Sequence, residues 1–215
     1  MNHILILGAN GQIAKLVTNL LINNYNNQLT LFLRQKNRLL GMEKKVHAIM
    51  EGDSNDSLSL NRAMIGQDIV FANLSGTNIT QQAKKVINSM KINHIKRLIW
   101  VSTLGIYNEI PGEFGEFTME YLSDGYIQNY TMAANIIENS GLDVTIIRPG
   151  WLDNDDEIDY EITHRNESFK GTEVSRLSVA DLITNIINDP SQYIGESLGV
   201  NKPGTNYSKP KWLIE

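Results

Sequence analysis

Apolar residues in this chain come in short, unbroken runs separated by longer stretches of helical period. The runs lie at 3–7, 29–33, 46–50, 68–72, 98–101 and 144–147. They are continuous rather than alternating, which is how strands buried on both faces of a parallel sheet read. Between the runs, Ile13, Leu16, Val17, Leu20 and Leu21 fall at i, i+3, i+4, i+7 and i+8. Ile79, Ala83, Val86, Ile87 and Met90 form a second stripe, and Tyr126, Tyr130, Ala133 and Ile137 a third. Each stripe gives a helix one apolar face to lay on the sheet. Strand and helix in repeated alternation predict βαβ units, and hence an α/β fold: a doubly wound, mostly parallel, Rossmann-like sheet.

The last third is less regular. Residues 153–161 are strongly acidic and read as a solvated loop. Ser178, with Asp181 three residues on, reads as the start of a helix that ends at Pro190, and 197–200 as a final strand. Residues 111–124 carry glycines and aromatics and read as a substrate loop or lid on the carboxyl side of the strands, where ligands bind. No repeat, linker or break in composition divides the chain. The expectation is one domain over 1–215 with a C-terminal extension on the substrate side.

Composition narrows the function classes. With 41% hydrophobic and 20% charged residues the chain can bury a core, which excludes wholesale disorder. A net charge of −5 argues against a nucleic-acid partner. The absence of cysteine excludes disulfides, thiolate metal sites and a cysteine nucleophile. The four histidines, His3, His47, His94 and His164, lack metal-ligand spacing, and DNDDEID (153–159) lacks the glycine of a calcium loop, so no metal site is expected. No apolar run reaches the about 18 residues of a membrane span, and no leader is visible. The expected location is therefore the cytoplasm.

The sharpest chemical signal is GANGQIA, Gly8 to Ala14, between the first strand and the first helix. Gly8 suits the backbone of a tight turn, Gly11 lets a diphosphate approach the main chain, and Ala14 lets the helix pack close to the sheet. The free N–H groups at the helix start then favour negative charge. This pattern predicts dinucleotide binding. The end of the second strand reads LFLRQKNRL, with Arg34, Lys36 and Arg38 and no carboxylate. An arginine there accommodates the 2′-phosphate, so NADP(H) is expected over NAD(H).

Four further motifs follow later strands: Gly52-Asp53, ANLSG (72–76), VSTLGIY (101–107) and IIRPG (146–150). Together with GANGQIA they resemble the atypical short-chain dehydrogenase/reductases, nearest the single-domain NAD(P)H-binding proteins related to NmrA and to biliverdin/flavin reductases. The resemblance implies that Gly8, Asn10, Gly11, Gln12 and Ile13 line the diphosphate and that Arg34 meets the 2′-phosphate. It implies Asp53 beside the adenine, and Asn73, Leu74, Ser75 and Gly76 between the ribose groups. Pro149 and Gly150 would approach the nicotinamide. It also puts Thr103 at the catalytic hydroxyl position, with Ser102 the weaker candidate, and Tyr126 at the position of the catalytic tyrosine.

The Tyr-x-x-x-Lys motif is broken, because Tyr130 stands where the lysine belongs. An isolated phenol titrates near ~10 and is a poor base at neutral pH. The bland reading of Tyr126 and Tyr130 is two aromatics packed on the sheet. A flavin or quinone acceptor would need no protein acid, only alignment. The resulting expectation is an NADPH-dependent oxidoreductase passing hydride to a small conjugated acceptor. The alternatives are a non-catalytic NADP(H)-sensing regulator of NmrA type and an isomerase or dehydratase that uses NAD(P) transiently.

Overall fold

The computed structural model describes residues 2–24 and 26–213. Its central sheet has eight strands: β1 (Asn2–Leu7), β2 (Asn27–Leu33), β3 (Ala48–Glu51), β4 (Ile69–Ala72), β5 (Arg97–Val101), β6 (Asp143–Pro149), β8 (Glu161–Thr163) and β10 (Glu196–Asn201). Their spatial order is β3-β2-β1-β4-β5-β6-β10-β8. Every pairing is parallel except that of β8 with β10. The runs are continuously apolar because both faces of the sheet are covered. In β1, Ile4 and Ile6 join the core under α1 (Gln12–Leu21) and α6 (Arg176–Asn188). Leu5 and Leu7 join the opposite core, under α2 (Ser57–Met64), α3 (Ile79–Ile92) and α5 (Tyr126–Glu138). In β5 the same split sends Ile99 and Val101 one way and Leu98 and Trp100 the other. A fully buried aliphatic side chain of this kind contributes roughly 1.5–3 kcal/mol.

Strand order fixes where a ligand can enter. The chain leaves β1 for β2 and β3 on one side, then crosses to β4 on the other. The loops after β1 and β4 therefore diverge and leave a crevice between them, at the carboxyl ends of the strands.

Three readings of the sequence need correction. Residues 111–124 are mostly helix, α4 (Gly112–Tyr121), flanked by left-handed residues at Gly112 and at Asp124-Gly125. The acidic stretch is a loop only at its centre. Its ends belong to β8 and to β7 (Trp151–Asp153), which pairs with β9 (Glu173–Ser175) in a separate two-stranded ribbon. Glu157 within it pairs with Lys202 at 2.5 Å. Finally, α6 starts at Arg176 rather than at Ser178, because Ser175 is the N-cap and its hydroxyl accepts the Ser178 N–H at 2.9 Å. Short strands with polar ends carry too little periodicity to stand out from a loop.

One buried charge pair holds the β5–α4 connection to the sheet. Arg148, with no exposed surface, pairs with Glu109, and its Nε donates to Ser197 Oγ at 3.1 Å. The Glu109 carboxylate also accepts the Gly105 and Tyr107 N–H groups at 3.0 and 2.9 Å. The Tyr107 ring lies under both Arg148 and Arg165, and its hydroxyl donates to Glu138 at 2.5 Å. Burial, reinforced by the Glu138 carboxylate, pushes this phenol up to about 12.

Removing one member of a buried pair strands the other. Glu109→Ala is expected to cost about 3–5 kcal/mol in urea unfolding. A loss below about 1 kcal/mol would put the pair on a par with exposed ion pairs. The phenol gives a second test. An unfolded tyrosine ionises near ~10, so stability conferred by the neutral Tyr107 is full below that pH and drains away as pH rises toward about 12. Tyr107→Phe should flatten that decline in unfolding curves taken across the same interval.

Candidate functional site

Gly8 leaves β1 with φ +73°, a conformation that side chains disfavour. A Cβ at Gly8 would stand 2.2 Å from the Asn73 carbonyl oxygen, and one at Gly11 would stand 2.1 Å from Asn73 Nδ2. The turn after β1 and the turn after β4 thus touch backbone to backbone, and only glycine permits it. Gly11 caps α1 with no side-chain hydrogen bond, and no carboxylate occupies the first turn. By contrast, α2 is capped by Asp56, whose carboxylate accepts the Leu58 and Ser59 N–H groups. The start of α1 therefore keeps its N–H groups available to an outside anion.

A cleft of about 640 Å³ opens at this point. Gly8, Asn10, Gly11, Asn73, Leu74 and Ser75 form its inner part, at the crossover. Arg34, Gln35 and Arg38 form one rim. Arg34 is exposed at the end of β2, and Gln35 Oε1 holds Arg38 Nε at 2.7 Å. Glu51, at the end of β3, accepts the Lys36 N–H at 2.9 Å and does not line the cleft. Gly52, Asp53, Ser54 and Asn55, from the turn after β3, also line it, and the Asp53 carboxylate accepts the Asn55 N–H at 2.8 Å. Gly52 must be glycine for packing, since a Cβ there would meet the Phe32 ring at 2.6 Å.

The remaining predicted residues lie outside the lining of this cleft. Gln12 is exposed on α1, and Ile13 turns into the core. Gly76, with φ +121°, closes the turn beyond Ser75. Pro149 and Gly150 end β6, where Gly150 N–H donates to the Val200 carbonyl at 2.8 Å and Trp151 N–H to that of Thr172 at 2.9 Å. Ser102 and Thr103 are both buried, just past β5. The Ser102 hydroxyl is buried with no hydrogen-bond partner among the described residues. Tyr126 is 41% exposed and stacks on Tyr130 with ring centroids 4.7 Å apart. Tyr130 is 4% exposed, and burial together with the Tyr126 phenol drives its pKa well above the ordinary tyrosine range. Tyr130 therefore cannot stand in for the cation that the broken motif lacks.

Beside Gly150, Trp151 packs with Phe117 at 5.5 Å and Tyr121 at 5.1 Å, both from α4. This helix thus lays an aromatic wall next to the β6 turn. Among the described residues, no group of three or more metal-ligating side chains comes together, and no helix is long and apolar enough to cross a membrane.

Sequence reasoning passed over several residues that line the cleft, among them Phe32, Gln35, Asn55, Asn78 and Gln82. Gln82 did leave a signal. It lies three residues after Ile79 and one before Ala83, a polar side chain inside an apolar stripe.

Residues 8–190 match the model of a protein family described as NAD(P)H-binding. The chain belongs to this NAD(P)H-binding Rossmann-fold family. A Rossmann-fold NAD(P)-binding family protein from Shigella flexneri is 46% identical, with 98% of each chain covered and a TM-score of 0.79. A short-chain dehydrogenase/reductase from Veillonella parvula, solved in complex with NADP, is 30% identical over 98% of this chain and 99% of that one, with a TM-score of 0.91. A Bacillus subtilis (strain 168) protein named as the uncharacterized sugar epimerase YhfK is 31% identical over 166 residues, 71% of this chain and 73% of its own. The glycine turn, the uncapped α1 and the crossover cleft are the features an NAD(P)H-binding fold needs, and the residues present fit such a nucleotide.

Close approach and strain can be separated by mutation. Gly66 also has positive φ, +71°, but a Cβ there would meet nothing within 4 Å. Gly66→Ala should cost about 1–2 kcal/mol from backbone strain alone. Gly8→Ala should cost more in the same unfolding assay and should abolish nicotinamide-nucleotide binding by calorimetry. Equal costs at the two positions would show that the contact with Asn73 carries no weight.

Proposed function

We propose that this protein is an NADPH-dependent oxidoreductase that passes hydride to a small conjugated acceptor of flavin or quinone type. The observation that carries the reading is an intact nucleotide turn combined with a tyrosine motif whose lysine position holds the buried, un-ionised Tyr130. The chain keeps what aligns a nucleotide and lacks what activates a protein base.

In this reading the main chain of Gly8, Asn10, Gly11, Gln12 and Ile13 faces the diphosphate. Arg34 takes the 2′-phosphate, and Arg38, braced by Gln35, stands beside it. The Arg34 guanidinium, with no ion pair among the described residues and with Glu51 engaged by the Lys36 N–H, favours NADP(H) over NAD(H). Asp53 sits by the adenine, and Asn73, Leu74, Ser75 and Gly76 line the middle of the cleft. Pro149 and Gly150 approach the nicotinamide end. Thr103 or its neighbour Ser102 offers a hydroxyl there, the latter with its bond unmet. Tyr126 has no lysine to draw off its proton, so it serves as a packed wall.

Bound NADPH would supply a hydride to the acceptor, and the reduced acceptor would take up one proton from water. The chain's own work is to hold the two partners face to face and keep them dry. Trp151, Phe117 and Tyr121 suit a planar acceptor, because flat rings stack on aromatic faces.

A second reading rests on the name of the B. subtilis relative: an epimerase, which would use the nucleotide without net consumption. Its weakness is that taking a proton from a sugar hydroxyl needs the base this chain lacks. A regulator of NmrA type would bind the nucleotide and turn nothing over.

Mixing the protein with NADPH and a panel of flavins and quinones separates the three. Oxidation of NADPH is expected with at least one of them, and Tyr126→Phe should change the rate less than about tenfold. Tight binding with no oxidation across the panel favours the regulator, and sugar conversion without loss of NADPH favours the epimerase. Arg34→Ala should weaken NADPH about tenfold and NADH little, for loss of a charge-assisted phosphate contact. Tighter binding of NADH than NADPH by the unaltered protein overturns the coenzyme preference.

A further inference from the structure

Gln82 lies on the buried face of α3, 4% exposed, where the helix otherwise presents Ile79, Ala83 and Val86. A buried amide costs free energy unless its hydrogen bonds are made. Here nearly all are. Oε1 accepts the Ser54 hydroxyl at 2.7 Å. Nε2 donates to the Ser75 carbonyl at 3.1 Å and to Asn78 Oδ1 at 2.8 Å. Both amide hydrogens are used, so the amide is fixed in one orientation; a flip would set oxygen against two acceptors.

The groups that Gln82 joins belong to two different turns that line the nucleotide cleft. Ser54 follows Asp53 in the turn after β3, and Ser75 and Asn78 lie in the turn after β4. Each turn is firm in itself. The first is tied by the Asp53–Asn55 bond and by the Asp56 cap of α2. The second is tied by the Ile79 N–H to the Gly76 carbonyl. The hydrogen bonds of the buried Gln82 tie one turn to the other. Deeper down, α2 and α3 are packed independently through Leu60, Ala63, Met64, Ala83 and Val86.

We propose that Gln82 is a positioning residue: its amide clamps the adenosine wall to the crossover wall and so sets the span over which a dinucleotide must fit. The proposal needs only that the cleft binds a nicotinamide nucleotide and stands whichever acceptor is used. It predicts an effect that grows with how much of the cleft a ligand bridges. A fragment resting on one wall does not need the span to be fixed; a whole dinucleotide does.

The test compares NADP⁺ with adenosine 2′-monophosphate, which has no 5′-phosphate to reach the glycine turn, using calorimetry on the full chain. Gln82→Met keeps the length and removes every hydrogen bond. It should weaken NADP⁺ about tenfold or more and the monophosphate by no more than about threefold. Ser54→Ala, which cuts one bond of the clamp, should weaken NADP⁺ less and add little on top of Gln82→Met, because both break one link. Gln82→Glu adds a readout that packing alone would not move. Its carboxyl regains a donor when protonated, so its affinity relative to Gln82→Met should recover as pH falls from about 8 to about 5. Equal weakening of both ligands, or NADP⁺ binding held within about threefold, overturns the proposal. Should Gln82→Met not fold, an unchanged NADP⁺ dissociation constant in Ser54→Ala overturns it alone.

Discussion

The structure turns on one close approach: the main chain of Gly8 and Gly11 against Asn73, at the point where the strand order reverses between β1 and β4. Several other features are consequences of it. The turn can be tight because Gly8 accepts a positive φ. The tight turn delivers α1 to the crevice with its first N–H groups uncapped. Asn73, pressed over the glycines, then becomes the floor on which the cleft is built, and the walls rise from the β2, β3 and β4 turns around it. A side chain at Gly8 would push the two turns apart, and one at Gly11 would displace the Asn73 side-chain amide.

Much of the fold was legible in the sequence because burial on both faces removes ambiguity. A strand such as β5 must be apolar at every position when Ile99 and Val101 face one helical layer and Leu98 and Trp100 the other. The glycine turn was legible for a related reason, since it is local in sequence and its constraint acts on backbone. The misreadings fall where neither condition holds. The strands β7, β8 and β9 have three residues each, too few to show a period. The helix α4 carries glycines at 112 and 115, which read as loop but serve the helix: Gly112 takes φ +61°, and a Cβ at Gly115 would meet the Ile110 carbonyl at 2.3 Å.

The site was legible in its floor and less so in its walls. Gly8, Gly11, Asn73 and Arg34 follow from motif position, and all reach the cleft. Phe32, Ser54 and Gln82 come from three separate elements, and their meeting depends on strand order and register rather than on any local pattern. A polar residue inside an apolar stripe signals that something must satisfy it, but the partners become visible only in three dimensions. The same holds for Arg148, whose charge at the end of a buried strand makes sense once Glu109, 39 residues away in sequence, is seen against it.

Two neighbouring regions obey different physics: the cleft at the crossover, and the β6 turn outside its lining. Along the cleft the turn after β2 carries the charged, exposed Arg34 and Arg38, and electrostatic contacts of that kind tolerate small displacements. Around the β6 turn the groups are mostly neutral: the buried Ser102 hydroxyl, the buried Tyr130 and the half-buried Trp151 with its aromatic neighbours. A region of that kind offers a hydroxyl and flat aromatic faces rather than a charged base. It can hold a flat ring against another flat ring and exclude water. Chemistry that needs a strong base would have to pay for one with a second ionisable group near Tyr126, and Tyr130 is not that group. On the oxidoreductase reading proposed above, a buried tyrosine in place of the lysine shifts the burden from proton transfer to alignment, and alignment is what a glycine-floored cleft provides.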